Sequence, residues 1–294
     1  MRKDVSFTSK GLRCSGWLYV PDDLKTGEKA PVIVMAHGFT GVKEQILPDF
    51  AARFVDAGFA TMVFDYRYFG DSEGEPRSQW FPLELVEDCR NAITWVCDQP
   101  EVDSQRVGIW GASFGGGVVL YVGIYDRRVK AVVSQVPMAP SPEQRRARNP
   151  QNWENMSKLL LRDRIARYKT GVVNYMKVVA SEGEPCLLPG KEAYEEYMAI
   201  RQPNWRNQVT LESLEKMREF DPVSMIHLMS PTALLFIAAE KDSFFALDSV
   251  KAIYGKAGEP KAMSVLPTLH FEAYREPWLS KSASAAISWF EKHL

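Results

Sequence analysis

The stretch 106–125, RVGIWGASFGGGVVLYVGIY, governs how the rest of the chain is read. A short apolar run enters Gly111-Ala112-Ser113-Phe114-Gly115 and a helix rich in small residues leaves it, which predicts strand, tight turn and helix in succession. A strand running straight into a helix forces its central residue into a sharp turn, and small neighbours let the chain close there. The Ser113 hydroxyl is then held out at the carboxyl end of a sheet. The following helix N-terminus offers oriented backbone N–H groups and a positive dipole end, a setting suited to an oxygen that gains negative charge. Ser113 is therefore the candidate nucleophile. A second copy of the pattern, Gly70-Asp71-Ser72-Glu73-Gly74, runs into Glu75-Pro76-Arg77, where proline and charge predict loop, so its serine lacks a helix behind it.

Strands and helices alternate on both sides of this stretch. Residues 5–9 and 13–20, split by Lys10-Gly11, predict an antiparallel hairpin at a sheet edge. Residues 32–36 form a continuous apolar run, as a parallel strand buried on both faces requires, and end in His37-Gly38-Phe39-Thr40-Gly41. Residues 60–64, 106–110, 129–136, 232–239 and 262–266 predict further strands; residues 43–58, 81–97, 246–255 and 280–293 predict helices. The class is α/β, with a mostly parallel central sheet and helices on both faces. From Met138 to Phe220 the pattern changes to charged runs and helical segments at 153–168, 192–201 and 211–218, with no strand alternation. This predicts a core made of residues 1–137 and 221–294, with an inserted helical cap over 138–220.

The chain has four histidines, so the search for a general base is short. His37 belongs to the Gly-containing turn, His227 lies between a helix and a strand, and His293 is next to the C-terminus. His270 lies just after the last strand, at the carboxyl edge where Ser113 also sits, and is the candidate base. The order serine, acid, histidine limits the acid to carboxylates between Ser113 and His270. Asp242 directly follows a buried strand, Asp221 precedes one and Asp248 lies within a helix; Asp242 is chosen over its neighbour Glu240 because strand-end loops carry catalytic groups. The candidate oxyanion donors are the N–H of Phe114, after the nucleophile, and that of Phe39, in the turn after an earlier strand.

Taken together, His37-Gly38-Phe39, Asp65-Tyr66-Arg67 with the 70–74 loop, the 111–115 turn, Asp242 and His270-Phe271 resemble the α/β-hydrolase superfamily over nearly the whole chain outside the cap. Gly258-Glu259-Pro260-Lys261, Leu266-Pro267 and His270-Phe271-Glu272-Ala273-Tyr274 are similar to a dienelactone-hydrolase-like group that includes bacterial esterases and fungal polyketide transferases and thiohydrolases. The resemblance implies a serine hydrolase that cleaves a carboxylic ester or thioester through an acyl-enzyme, with no metal or organic cofactor. Acyl transfer or thiohydrolysis of a polyketide-type chain and carbon–carbon bond hydrolysis are the alternatives, since the triad serves all three. A non-catalytic binding protein on this fold is weighed against by the presence of every triad member and both oxyanion turns.

Size and composition bound the remaining questions. With 294 residues, 46% hydrophobic and 25% charged, the chain suits one globular catalytic domain with an insertion, and its net charge of −1 exerts no pull toward nucleic acid or an acidic membrane. The first residues lack the apolar core of a secretory signal and no run reaches the length of a membrane span, so the expected compartment is the cytoplasm. Cys14, Cys89, Cys97 and Cys186 are scattered without metal-ligand spacing and read as ordinary thiols. The expected partner is a small-molecule ester or thioester, with a carrier-bound acyl chain admitted; the oligomeric state is open, a homodimer included. Met138, Trp153, Trp205 and Phe244, along with Met156, Tyr168 and Met176, are candidates for an apolar substrate pocket.

Overall fold

Lys10 and Gly11 both carry positive φ, 48° and 82°, so β1 (Arg2–Ser9) turns directly back into β2 (Leu12–Tyr19). The two strands pair antiparallel with Ser9 opposite Leu12, the two-residue connection whose twist suits a hairpin. The computed structural model describes residues 1–181 and 183–294. Beyond the hairpin, strand and helix alternate through β3 (Ala30–Ala36), α1 (Leu47–Asp56), β4 (Ala60–Phe64), α2 (Pro82–Cys97), β5 (Val102–Ala112), α3 (Phe114–Tyr125) and β6 (Val129–Gln135). Next come α4 (Pro142–Arg148), α5 (Pro150–Thr170), β7 (Tyr175–Met176), α6 (Lys191–Ala199), β8 (Val209–Thr210) and α7 (Leu211–Glu219). The chain closes with β9 (Ala233–Ala239), α8 (Leu247–Lys256), β10 (Lys261–Leu266) and α9 (Trp278–His293).

Eight strands form one sheet in the order β1-β2-β4-β3-β5-β6-β9-β10. Only the β1–β2 and β2–β4 pairings are antiparallel; every other pair runs parallel. The apolar runs of β4 and β9 are buried at every position, as parallel strands covered on both faces must be. On one face Phe50 and Phe54 of α1 and Phe290 of α9 close over Trp110 of β5, with Phe50 and Trp110 centroids 4.7 Å apart. Burying a ring of this size stabilises the fold by roughly 1.5–3 kcal/mol. On the other face α2 packs against α3. The parallel arrangement has one functional consequence: the carboxyl ends of β3, β5, β9 and β10 open onto a single edge of the sheet.

The 142–219 segment lies between β6 and β9 and adds two features to the expected helical segments. β7 and β8 pair antiparallel, Tyr175 opposite Thr210 and Met176 opposite Val209. The arginine run 145–148 lies in a further short helix, α4, ahead of the expected helical segments. Its start is fixed by a capping box: Ser141 Oγ accepts from the Gln144 N–H at 3.2 Å and the Gln144 side chain accepts from the Ser141 N–H at 2.9 Å. The helix expected from residue 43 begins at Leu47, because the preceding residues are used otherwise. Ile46 carries φ 60°, and the Lys43 ammonium is buried among Glu44 (2.6 Å), Asp65 (2.9 Å) and Asp71 (2.6 Å).

Candidate active site

At the exit of β5, Ser113 adopts φ 52° and ψ −119°, a conformation L-residues rarely take. Its surroundings leave little choice. A Cβ on Gly111 would stand 2.3 Å from the Gly115 carbonyl oxygen, and one on Gly115 would stand 2.4 Å from that of Ala36. The turn is locked to the next strand, since the Ser113 N–H donates to Gln135 O (3.0 Å) and the Met138 N–H donates to Ser113 O (2.8 Å).

Three sheet-edge loops meet at this hydroxyl. His270 Nε2 lies 3.1 Å from Ser113 Oγ, and His270 Nδ1 lies 2.7 Å from Asp242 Oδ2. The other carboxylate oxygen, Oδ1, accepts the N–H groups of Phe244 (2.8 Å) and Phe245 (3.0 Å), which fixes the orientation of the acid. The Asp242 and His270 side chains are each 3% exposed, and the imidazole is boxed in by Phe244, Phe271 and Tyr274. An ionised carboxylate only accepts hydrogen bonds, so Nδ1 carries the proton and Nε2 is left to accept from the serine hydroxyl. Glu240, the rival acid, is exposed.

The turn after β3 is closed by the Gly41 N–H donating to Gly38 O at 3.1 Å, with Thr40 at φ 53°. In a turn closed this way the N–H of the second residue, Phe39, is left without a backbone acceptor. Phe114 is the first residue of α3, where N–H groups also lack an intrahelical acceptor. Among the described residues neither N–H donates to another group. His37 supports the turn from beneath. Burial pushes its imidazole down to about 4, so the ring is neutral, and Nδ1–H donates to Gly38 O at 3.0 Å. Its ring packs against Tyr66 at 4.4 Å.

The loop after β4 braces these residues. Asp65 accepts the backbone N–H of Lys43 (2.7 Å) and of Asp71 (3.0 Å), as well as the Lys43 ammonium. Burial by itself would lower the Lys43 ammonium, but Asp65, Asp71 and Glu44 outweigh it and hold it above its ordinary value. Glu44, Asp65 and Asp71 have the spacing of metal ligands, but a lysine side chain from the same chain supplies the positive charge at their centre. Ser72, the serine of the second glycine pattern, is held between the Ser15 N–H (2.9 Å) and Asp65 O (2.7 Å).

Two cavities serve the edge. The inner one, about 50 Å³, reaches Ser113 and His270 and is walled by Phe39, Ile46, Tyr197 and Phe271. The outer one, about 1140 Å³, lies beneath α4, α5 and α6. Met138, Leu188 and Phe244 line both. Of the expected pocket residues, Met138 and Phe244 therefore stand between the cavities, and Trp153 and Met156 line the outer one. Trp205 lines neither cavity; its ring packs on Tyr197 at 5.9 Å. Tyr168 is 92% exposed, and Met176 is taken up in β7. Leu188 and Tyr197 line the inner cavity without belonging to any motif, and Tyr274, from the 270–274 stretch, lines it with them.

Comparison with known proteins agrees with this architecture. The profile of the X-Pro dipeptidyl-peptidase (S15 family) matches residues 10–161. The quorum-quenching protein AidA of Acinetobacter baumannii is 40% identical over 197 residues, 67% of this chain and just under two thirds, 64%, of that protein. The polyketide transferase ATR5 of Stachybotrys chlorohalonatus is 30% identical over 269 residues, covering 88% of this chain and 86% of that one. Other relatives are named thiohydrolases. The crystal structure of the alpha/beta hydrolase GrgF from Penicillium superposes with a TM-score of 0.86 at 25% identity, over 100% of this chain and 99% of that chain.

Proposed function

Since this chain belongs to the S15 family of the α/β-hydrolase superfamily, alongside fungal polyketide transferases and thiohydrolases, we propose that it cleaves a carboxylic ester or thioester with Ser113, His270 and Asp242. The observation that carries this reading is the relay itself: Asp242 to His270 at 2.7 Å and His270 to Ser113 at 3.1 Å, beside two N–H groups with no acceptor.

His270 Nε2 takes the Ser113 proton as Oγ attacks the carbonyl carbon. The Phe39 and Phe114 N–H groups receive the oxyanion. Collapse breaks the bond to the leaving alcohol or thiol, which departs with the proton from His270 and leaves an acyl-enzyme. Water, deprotonated by His270, then releases the acid and restores the serine. Asp242 holds the tautomer and stabilises the imidazolium through both steps. The 138–220 insertion is the cap through which a small-molecule substrate, carrier-bound or free, reaches the site.

Relatives matched over most of their length include a polyketide transferase and a thiohydrolase, which favours an acyl substrate over a peptide. A second reading, acyl transfer to an alcohol, is favoured by the polyketide transferases among the relatives, and the same relay serves it with an alcohol in place of water. No helix among the described residues is long and apolar enough to cross a membrane. The four unpaired cysteines suit a reducing compartment, the cytoplasm.

Labelling with a fluorophosphonate, read by intact mass and peptide mapping, tests the nucleophile. Label at Ser113 and none in Ser113→Ala is expected. A panel of p-nitrophenyl esters and acyl thioesters, with and without alcohol acceptors, then separates hydrolysis from transfer. A Ser113→Ala protein that still labels or turns over would remove the assignment.

A further inference from the structure

We propose that Tyr197 is a positioning residue for the oxyanion turn, its hydroxyl holding the Phe39 carbonyl so that the Phe39 N–H faces the reacting oxygen. This rests on the reading of Phe39 as an oxyanion donor. The turn closes through Gly38 O and the Gly41 N–H, which leaves Phe39 O without a partner inside the turn. Tyr197, carried by α6 of the insertion, supplies that partner from 158 residues away, its hydroxyl donating at 2.9 Å. The ring is 7% exposed and wedged between Trp205 (5.9 Å) and Phe271 (6.0 Å), the latter adjacent to His270. Burial pushes the phenol above its ordinary value, so it stays a donor throughout the working pH range.

The bond matters because the turn has an alternative. Thr40 is a β-branched residue at φ 53°, a costly conformation for its type. Turning the Phe39–Thr40 peptide over would return Thr40 to an ordinary conformation and change ψ at Phe39, which loosens the neighbouring Gly38–Phe39 peptide that carries the N–H. It would also break the Tyr197 bond and leave the Phe39 carbonyl buried without a donor. α6 is itself fastened on both sides of the site. Glu196 forms a two-pronged ion pair with Arg275, just beyond the histidine loop, and the Gln45 side chain donates to Ile200 O at 3.1 Å. Adjacent residues 196 and 197 thus reach the histidine loop and the oxyanion turn, and the insertion takes part in shaping the catalytic edge.

The test is Tyr197→Phe, which keeps the ring and removes only the hydroxyl. With the p-nitrophenyl ester turned over fastest by the wild type, kcat is expected to fall about tenfold while KM changes less than twofold. Affinity for an alkyl trifluoromethyl ketone, whose adduct carries the oxyanion, should weaken by the same factor, and affinity for the matching secondary alcohol should not. A purely structural Tyr197 would lower the melting temperature without separating ketone from alcohol, and that result overturns the proposal. Unchanged kcat overturns it as well. Ser113→Ala, assayed in parallel, separates the failures: turnover in that variant removes the site reading and this inference with it. A dead Ser113→Ala beside an unaffected Tyr197→Phe removes only the role of Tyr197.

Discussion

A carboxylate 2.7 Å from an imidazole Nδ1 allows that ring one useful tautomer, because the acid has no proton to give. An amide at residue 242 could present its NH₂ instead, and the ring would then settle with the proton on Nε2, facing Ser113 the wrong way. Asp242→Asn is therefore expected to lower kcat on the order of a thousandfold with little change in KM. Glu240→Gln, at an exposed side chain two residues away, should stay within about threefold of wild type in the same ester assay. Equal losses would move the acid to Glu240 or out of the site. Among single residues, the sequence already singled out Ser113, Asp242 and His270, because each follows a strand by a short loop and their order along the chain restricts the choices. Tyr197 gave no such signal. It lies in a polar helix of the insertion, and its value depends on a contact 158 residues distant that no local pattern encodes.

Among the secondary-structure elements, the junction of α3 with β3 controls the edge. The helix starts so close to the neighbouring strand that a methyl group on Gly115 would stand 2.4 Å from Ala36 O and 2.6 Å from His37 O. Both obstacles are backbone, and the second, His37 O, lies immediately before the Gly38–Gly41 turn. Gly115→Ala is expected to displace the β3 turn, lowering the melting temperature by several degrees through overpacking and kcat by more than tenfold through the shifted Phe39 N–H. A variant with wild-type melting and wild-type kcat would show that the junction has slack. The strands of the main sheet were legible because buried parallel strands are continuous apolar runs, and the hairpin because Lys10-Gly11 is a turn signal between alternating runs. Shorter features were not. β7 and β8 have two residues each, too few for any period, and the arginines of α4 hid a helix whose Ser141–Gln144 box stood in the sequence. The start of α1 was misjudged because Lys43, which continues the helical pattern on paper, is committed to three carboxylates.

For the whole molecule, the arrangement of cavities decides which substrates fit. The site lies on a sheet edge covered by the insertion, so a substrate must extend through the space between them. The inner cavity, about 50 Å³, admits a few heavy atoms, whereas the outer one, about 1140 Å³, has room for a long chain. Met138, Leu188 and Phe244 line both cavities, so on the proposed function a long substrate arm passes them to bring its carbonyl to Ser113. Phe244 cannot be varied cleanly, because its ring packs on His270. Among the described residues Leu188 makes its one hydrogen bond through its backbone N–H, to Val178 O at 2.9 Å, and its side chain can be trimmed. Leu188→Ala should widen the passage, raising kcat/KM for ten- to twelve-carbon acyl esters relative to two- to four-carbon ones by about tenfold. The short esters themselves should stay within about threefold of wild type, since the relay at Ser113 is unaltered. A chain-length series of p-nitrophenyl esters on both proteins reads this directly. If the ratio of long to short does not move, the two cavities are not joined in turnover, and the long arm must leave the site toward solvent by another route.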